Sequence, residues 1–243
     1  MGRWMHRPYR LSIVLASVSV LLTVVSAGLN LVQELAADAD GSLLTVLVRL
    51  FDVRGEQTVQ SWFSVLILAG AGALALAFGS RLRSAGRAKA VRWWGIGSAL
   101  IVASLDEAVS IHELANNPDA PSGAFRFAWV YLAIPVVIFL AIWALPAIRS
   151  LPMRVEALVV TAGVLYIMGA VGMEFVGGFF FGTDIVYGAI AHVEELLEMV
   201  GVVVFIEAMC QAHRIPRNES GRLVWTGLDA PRSPDVPVIS PSR

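Results

Sequence analysis

The stretch FAWVYLAIPVVIFLAIWALPAI, residues Phe127–Ile148, runs for 22 residues without a charged side chain. An α-helix rises about 1.5 Å per residue, so this stretch is long enough to cross a hydrocarbon core about 30 Å thick. Apolar helices inside soluble domains are usually shorter. The sequence therefore predicts a transmembrane helix at this position.

The composition extends this prediction to the whole chain. Of the 243 residues, 57% are hydrophobic and only 15% are charged, and the mean hydropathy is +0.71. A soluble domain of this size could not bury so much apolar surface. We therefore predict an all-α integral membrane bundle of about six transmembrane helices, at approximately Leu11–Val32, Trp62–Gly79, Trp93–Leu114, Phe127–Ile148, Val155–Val176 and Ala189–Gln211.

The basic residues predict the orientation of these spans. Lysine and arginine concentrate in the cytoplasmic loops of membrane proteins. With six spans, fifteen of the eighteen basic residues lie on the side of the two termini, and only Arg49, Arg54 and Arg126 lie on the other. We therefore expect a multi-pass protein of the bacterial inner membrane with both termini in the cytoplasm. The net charge of -1 gives no indication of a nucleic-acid partner.

The chain divides into a bundle and a tail. Residues 1–215 are predicted to form the transmembrane bundle, and the proline-rich residues 216–243 to form a disordered cytoplasmic tail. The first span resembles a signal peptide at Val25-Ser26-Ala27, but its apolar run continues to Val32, which favours a retained helix. Gly41–Val53 is predicted to be an interfacial helix.

The third predicted span carries ionisable residues at its outer end. Such residues are costly inside a membrane and normally face the interior of a bundle. At 100° per residue, the helical phase predicts one polar stripe about 120° wide. Its members are Asp106, Glu107, Ser110, Glu113 and Asn117. His112 is expected at the edge of that stripe.

The sixth and fifth spans add polar residues at a similar depth. Three carboxylates and an imidazole, those of Glu194, Glu195, Glu198 and His192, share one arc of about 160° at the start of the sixth span, and Glu174 is near the outer end of the fifth. Because the third and sixth spans run in opposite directions, chain direction brings all these residues toward the non-cytoplasmic face. Glu207 is the exception, and we expect it to be solvated at the cytoplasmic edge.

Crowded carboxylates without nearby lysine or arginine need protons or a cation to balance their charge. Carboxylate oxygens with one or two imidazoles suit Fe, Mn or Zn, and glutamate and histidine three residues apart occur in di-metal helical bundles. The single cysteine excludes an all-thiolate zinc site. The sequence predicts a site for one or two divalent transition-metal ions, with candidate ligands Asp106, Glu107, His112, Glu113, Glu174, His192, Glu195 and Glu198.

The same residues carry a resemblance to uncharacterised bacterial polytopic membrane proteins. The shared motifs are Leu105-Asp106-Glu107 followed by His112-Glu113, and later Glu194-Glu195-Leu-Leu-Glu198-Met199-Val-Gly201. The resemblance covers about two of the six spans. It implies no established activity, and it indicates that the two polar stretches act as one unit.

Several functions agree with this pattern. The first is a metal-dependent membrane hydrolase or oxidoreductase acting on a lipid or other apolar substrate, with no particular residue singled out as catalytic. The second is a proton- or cation-coupled transporter that uses the same carboxylates. A haem b protein with His112 and His192 as axial ligands, and a membrane assembly or sensor protein without chemistry, are further alternatives.

Overall fold

The computed structural model describes residues 9–35, 43–55, 57–84, 89–116 and 119–215, and within these residues all regular structure is helical. The predicted disordered tail and Asn117 lie outside the described residues. The α-helices are α1 Tyr9–Leu35, α2 Leu43–Phe51, α3 Val59–Ser84, α4 Ala90–Val109, α5 Trp129–Ile148, α6 Met153–Ile167, α7 Glu174–Phe180 and α8 Asp184–His213. A 3₁₀ turn covers His112–Ala115, and a π-helical segment, Met168–Met173, joins α6 to α7.

Each predicted span overlaps helical structure, although the third continues beyond the end of α4 and the fifth covers α6, the π-helical segment and part of α7, and the predicted interfacial segment contains α2. Among the described residues, four helices are long and apolar enough to cross a membrane, namely α1, α3, α5 and the continuous helix Met153–Phe180. The helices α4 and α8 at the third and sixth predicted spans lie outside this set and carry most of the acidic residues found in the α-helices. The chain therefore has the helices of a membrane protein, as its composition predicts.

Helices α3 and α4 form a close pair at two glycines. A Cβ on Gly72 would lie 2.9 Å from the carbonyl oxygen of Gly97, and a Cβ on Gly97 would lie 2.8 Å from that of Gly72. These distances are shorter than ordinary van der Waals contact, so only glycine allows the two backbones to approach this closely. The ring of Phe78 meets that of Trp93 edge to face further along the same pair, with centroids 5.1 Å apart.

Helix α8 is the central element of the bundle. Its second half is almost entirely covered by neighbouring helices, and Met199 and Met209 are fully buried. Helices α1, α3 and α6 surround it, together with the π-helical segment. This central position brings the acidic first half of α8 among the other helices.

Helix α5 lies at the edge of the bundle. Only 11% of its most apolar stretch is buried, and Leu132, Phe139 and Ile142 are each more than 60% exposed. Exposed apolar surface of this extent is typical of a helix that contacts membrane lipid.

Candidate functional site

The polar end of α4 differs from the predicted stripe. The α-helix ends at Val109, five residues before the predicted boundary, because Ser110 adopts a left-handed conformation with φ 52° and ψ 47°. The chain then continues into the 3₁₀ turn that carries His112 and Glu113. The prediction that Glu113 continues a helical stripe with Asp106 and Glu107 is therefore wrong.

The early end of α4 brings His112 back to Asp106. The backbone N–H of His112 donates to Oδ1 of Asp106 at 2.8 Å, and Nδ1 of His112 lies 2.9 Å from Oδ2. The imidazole also packs against Trp129 of α5, with ring centroids 5.1 Å apart. His112 is thus held by two helices, and helical phase alone could not predict this.

The acidic part of α8 packs closely against the π-helical segment at Gly169. A Cβ on Gly169 would lie 2.8 Å from the carbonyl oxygen of Glu194 and 3.1 Å from the amide nitrogen of Glu198. Beyond this contact, Glu174 of α7 and Glu194 of α8 line the same cavity. Segments of π-helix often occur at functional sites, since they displace side chains from regular α-helical positions.

These elements line one partly open cavity of about 290 Å³. Seven carboxylate side chains line it: Asp106, Glu107, Glu113, Glu174, Glu194, Glu195 and Glu198. His112, Tyr166 and Tyr187 also line it, and one side has an apolar wall that includes Ala103, Ala133, Val137 and Val171. The convergence of α4, the fifth span and α8 on one site, expected from chain direction, is present in the structure.

Among the described residues that line the cavity, only Arg54 carries a permanent positive charge. Its Nε and Nη2 donate to the two carboxylate oxygens of Asp52, each at 3.1 Å. Nδ2 of Asn30 donates to Oδ1 of Asp52 at 3.2 Å. Burial by itself raises the pKa of Asp52, but the hydrogen bonds and charge of Arg54, with a smaller contribution from Asn30, leave that pKa below its usual range.

His192 faces a different part of the molecule. Its Nδ1 lies 2.6 Å from the carbonyl oxygen of Gly188, and its Nε2 lies 3.1 Å from Oγ of Ser26 in α1. It lines a second cavity of about 170 Å³, together with Asn30, Glu34 and Arg54. The structure therefore groups seven of the eight predicted ligands around the first cavity and places His192 apart from them.

Glu207 is also placed differently from the sequence expectation. Its side chain is only 5% exposed and accepts hydrogen bonds from Oγ of Ser12 at 2.5 Å and from Nε2 of Gln211 at 2.9 Å. The prediction of a solvated residue is wrong, since α1 covers this face of α8.

Sequence reasoning missed several cavity residues. Arg54 lies in the connection after α2, and no sequence spacing relates that position to the acidic residues of the helices. Tyr166 and Tyr187 occur in apolar stretches that resemble ordinary packing. Glu194 was left out of the predicted ligands, although its position four residues before Glu198 places it on the same side of α8.

The arrangement of the carboxylates bears on metal binding. Across residues 9–35, 43–55, 57–84, 89–116 and 119–215, no three histidine, cysteine, aspartate or glutamate side chains converge closely enough to hold a metal ion as they stand. The seven carboxylates are distributed around the cavity wall. A bound cation would therefore draw some of these side chains inward.

The apolar helices are those of a membrane protein, and an acidic cavity lies between them. The chain matches the family described as a domain of unknown function (DUF8692) over residues 14–212, and it belongs to that family. No curated protein and no solved structure matches the chain.

Proposed function

We propose that this protein is a metal-dependent enzyme of the bacterial inner membrane, acting on a lipid or other apolar substrate. In this proposal six helices cross the bilayer, both termini are cytoplasmic, and the acidic cavity lies near the non-cytoplasmic face. The observation that carries the proposal is the composition of the cavity wall, where seven carboxylates accompany one arginine.

The charge of the cavity supports a bound cation. Arg54 pairs with Asp52, and the single positive charge of one arginine cannot balance seven ionised carboxylates. Several like charges in one low-dielectric site repel one another strongly unless counterions or protons are present. A divalent ion supplies two positive charges at once and binds carboxylate oxygen well.

The proposed ligand set follows from the geometry of each side chain. Glu107, Glu113, Glu174, Glu195 and Glu198 offer carboxylates, and Nε2 of His112 offers one imidazole nitrogen. Glutamate has a long flexible side chain, so these groups can converge on an ion without movement of the helices. Mixed oxygen and nitrogen ligands suit Fe, Mn or Zn. We leave His192 out of this set because it lines the other cavity.

The apolar wall supports a substrate that enters from the bilayer. Ala103 of α4 and Ala133 and Val137 of α5 are small cavity-lining residues, and α5 is the helix least covered by the rest of the bundle. An apolar chain could therefore lie along α5 while its polar end reaches the carboxylates. A bound metal would supply Lewis-acid activation of water or of oxygen, and the remaining carboxylates would accept or donate protons.

Elemental analysis of the purified protein tests the proposal. After dialysis in chelator-free buffer, we expect one or two Fe, Mn or Zn ions per chain in the wild type, and a marked loss in Glu198→Gln and Glu107→Gln. Glu207→Gln is the matched control, because Glu207 is a buried glutamate of α8 that does not line the cavity. Absence of stoichiometric transition metal from the wild type, or an equal loss in the control, would overturn the metal site.

A proton- or cation-coupled transporter is the second candidate, and the burial of Glu207 favours it. Glu207 follows Glu198 by nine residues on α8, which places the two about 13 Å apart along the helix. A buried carboxylate beyond the cavity provides a further step toward the cytoplasmic side. Ion-gradient-driven flux in liposomes would fall in Glu195→Gln and in Glu207→Gln if this function is correct, and unchanged flux in both variants would exclude it.

Structure also separates the two histidines of the haem hypothesis. His112 lines the acidic cavity and His192 the other one, and both ring nitrogens of His192 have partners in the protein. We therefore do not propose haem as the cofactor.

A further inference from the structure

The turn after α4 holds an unusual backbone conformation next to the cavity. Ser110 has φ 52°, in the left-handed region that residues with a side chain rarely adopt. Its N–H donates to the carbonyl oxygen of Asp106 at 2.6 Å, which closes the end of the helix. Such conformations persist where surrounding contacts enforce them, and they cluster at functional sites. Here the consequence is that His112 returns to the side chain of Asp106.

Both oxygens of Asp106 are directed at His112. Oδ1 accepts the backbone N–H of His112, and Oδ2 faces Nδ1 of the ring. An ionised carboxylate only accepts hydrogen bonds, so beside an ionised Asp106 the ring nitrogen Nδ1 carries a proton. The two contacts also fix the orientation of the ring.

The opposite nitrogen of the His112 ring, Nε2, is the one that Asp106 does not contact. Within the described part of the chain, Nε2 of His112 makes no hydrogen bond, whereas Nε2 of His192 lies against Ser26 and Nε2 of His213 lies 3.1 Å from the carbonyl oxygen of Leu74. Trp129 packs against the imidazole and restricts its rotation. Of the three described histidines, His112 is the one that lines the acidic cavity.

We propose that Asp106 is a positioning residue, which accepts hydrogen bonds from the backbone N–H and from Nδ1–H of His112 so that the opposite ring nitrogen, Nε2, faces the acidic cavity. Histidines that bind metals usually donate their other ring N–H to a carboxylate or carbonyl, which fixes ring orientation and raises ligand basicity. In this arrangement His112 supplies the nitrogen ligand, and Asp106 binds the opposite ring nitrogen and holds the imidazole in place. The ligand role of His112 rests on the proposed function, but the positioning role of Asp106 does not.

The positioning role is tested on the full-length protein in detergent without metal. In ¹⁵N-histidine-labelled protein, with the His112 signals assigned through their loss in His112→Gln, we expect Nδ1 to carry a proton. Asp106→Asn keeps the size of the side chain but offers an amide, so it should change the Nδ1 signal. Asp119→Asn, the same change in an exposed connector residue, should leave that signal as it is. A wild-type spectrum with Nδ1 unprotonated, or an Asp106→Asn spectrum identical to wild type, would overturn the inference.

Zinc titration then separates this inference from the proposed function. We expect Zn²⁺ to shift the Nε2 signal of the wild type, and Asp106→Asn to weaken Zn²⁺ binding by about 10- to 100-fold, the loss typical of residues that support a metal ligand. If Nδ1 is protonated as proposed but Zn²⁺ does not bind, the metal site is wrong and the positioning role stands. If Asp106→Asn changes the Nδ1 signal and binds Zn²⁺ as tightly as wild type, Asp106 does not support a ligand.

Discussion

The close contact between Gly169 and α8 predicts how a Gly169→Ala substitution changes the stability of the protein. Gly169→Ala introduces a Cβ 2.8 Å from the carbonyl oxygen of Glu194 and 3.1 Å from the amide nitrogen of Glu198. Both are backbone atoms of a helix and cannot turn aside. To restore the 3.4 Å at which ordinary contact begins, the π-helical segment and α8 must separate by about 0.6 Å. Overpacking of this kind costs about 1–3 kcal/mol.

Gly163→Ala is the matched control for this prediction. Gly163 lies in α6, six residues before Gly169, and a Cβ there would meet nothing within 4 Å. Replacing a helical glycine by alanine stabilises a helix by about 0.8–1.0 kcal/mol in the absence of a clash. The propensity gain applies to both variants, so the difference between them measures the clash alone. We expect Gly169→Ala to be less stable than Gly163→Ala by about 1–3 kcal/mol.

The assay is unfolding in mixed micelles followed by tryptophan fluorescence, with Zn²⁺ titration of the same samples. Displacement of α8 moves Glu194 and Glu198 away from the cavity, so the proposed metal binding should weaken in Gly169→Ala and not in Gly163→Ala. Equal stability of the two variants would refute the close contact, whatever the metal data show.

Two further predictions concern the connections between helices. The pKa of Asp52 is lowered in the folded protein, so its pair with Arg54 contributes stability above the usual carboxyl pKa of about 4 and loses it as the pH falls through the lowered value. Asp52→Asn should therefore lower the free energy of unfolding near neutral pH by less than about 1 kcal/mol, as is typical of an exposed pair, and should match wild type in acid. In a Cys210→Ser background, Ser122→Cys should react with a membrane-impermeant maleimide in intact cells after outer-membrane permeabilisation, whereas Ser84→Cys should react only once the inner membrane is opened. The reverse labelling pattern would contradict the proposed orientation.

The positions of the helices and the polar character of one end of the bundle were predictable from sequence. Uninterrupted apolar stretches such as Phe127–Ile148 have few alternatives to a membrane helix, since every backbone polar group must be satisfied within the segment. Likewise, helices that run in opposite directions place Asp106 and Glu195 at similar depth through geometry alone. These features depend on length, composition and chain direction, which are local properties of the sequence.

What only the tertiary structure decided is which of the polar groups meet. His112 contacts Asp106 because α4 ends at Ser110, whereas a regular helix would turn them apart, and His192 contacts Ser26 because α1 packs beside it. Arg54 reaches the acidic cavity from a connection distant in sequence from the other lining residues. Helical phase gives the direction of a side chain relative to its own helix and not the neighbour it meets, because that neighbour depends on the packing of the other helices.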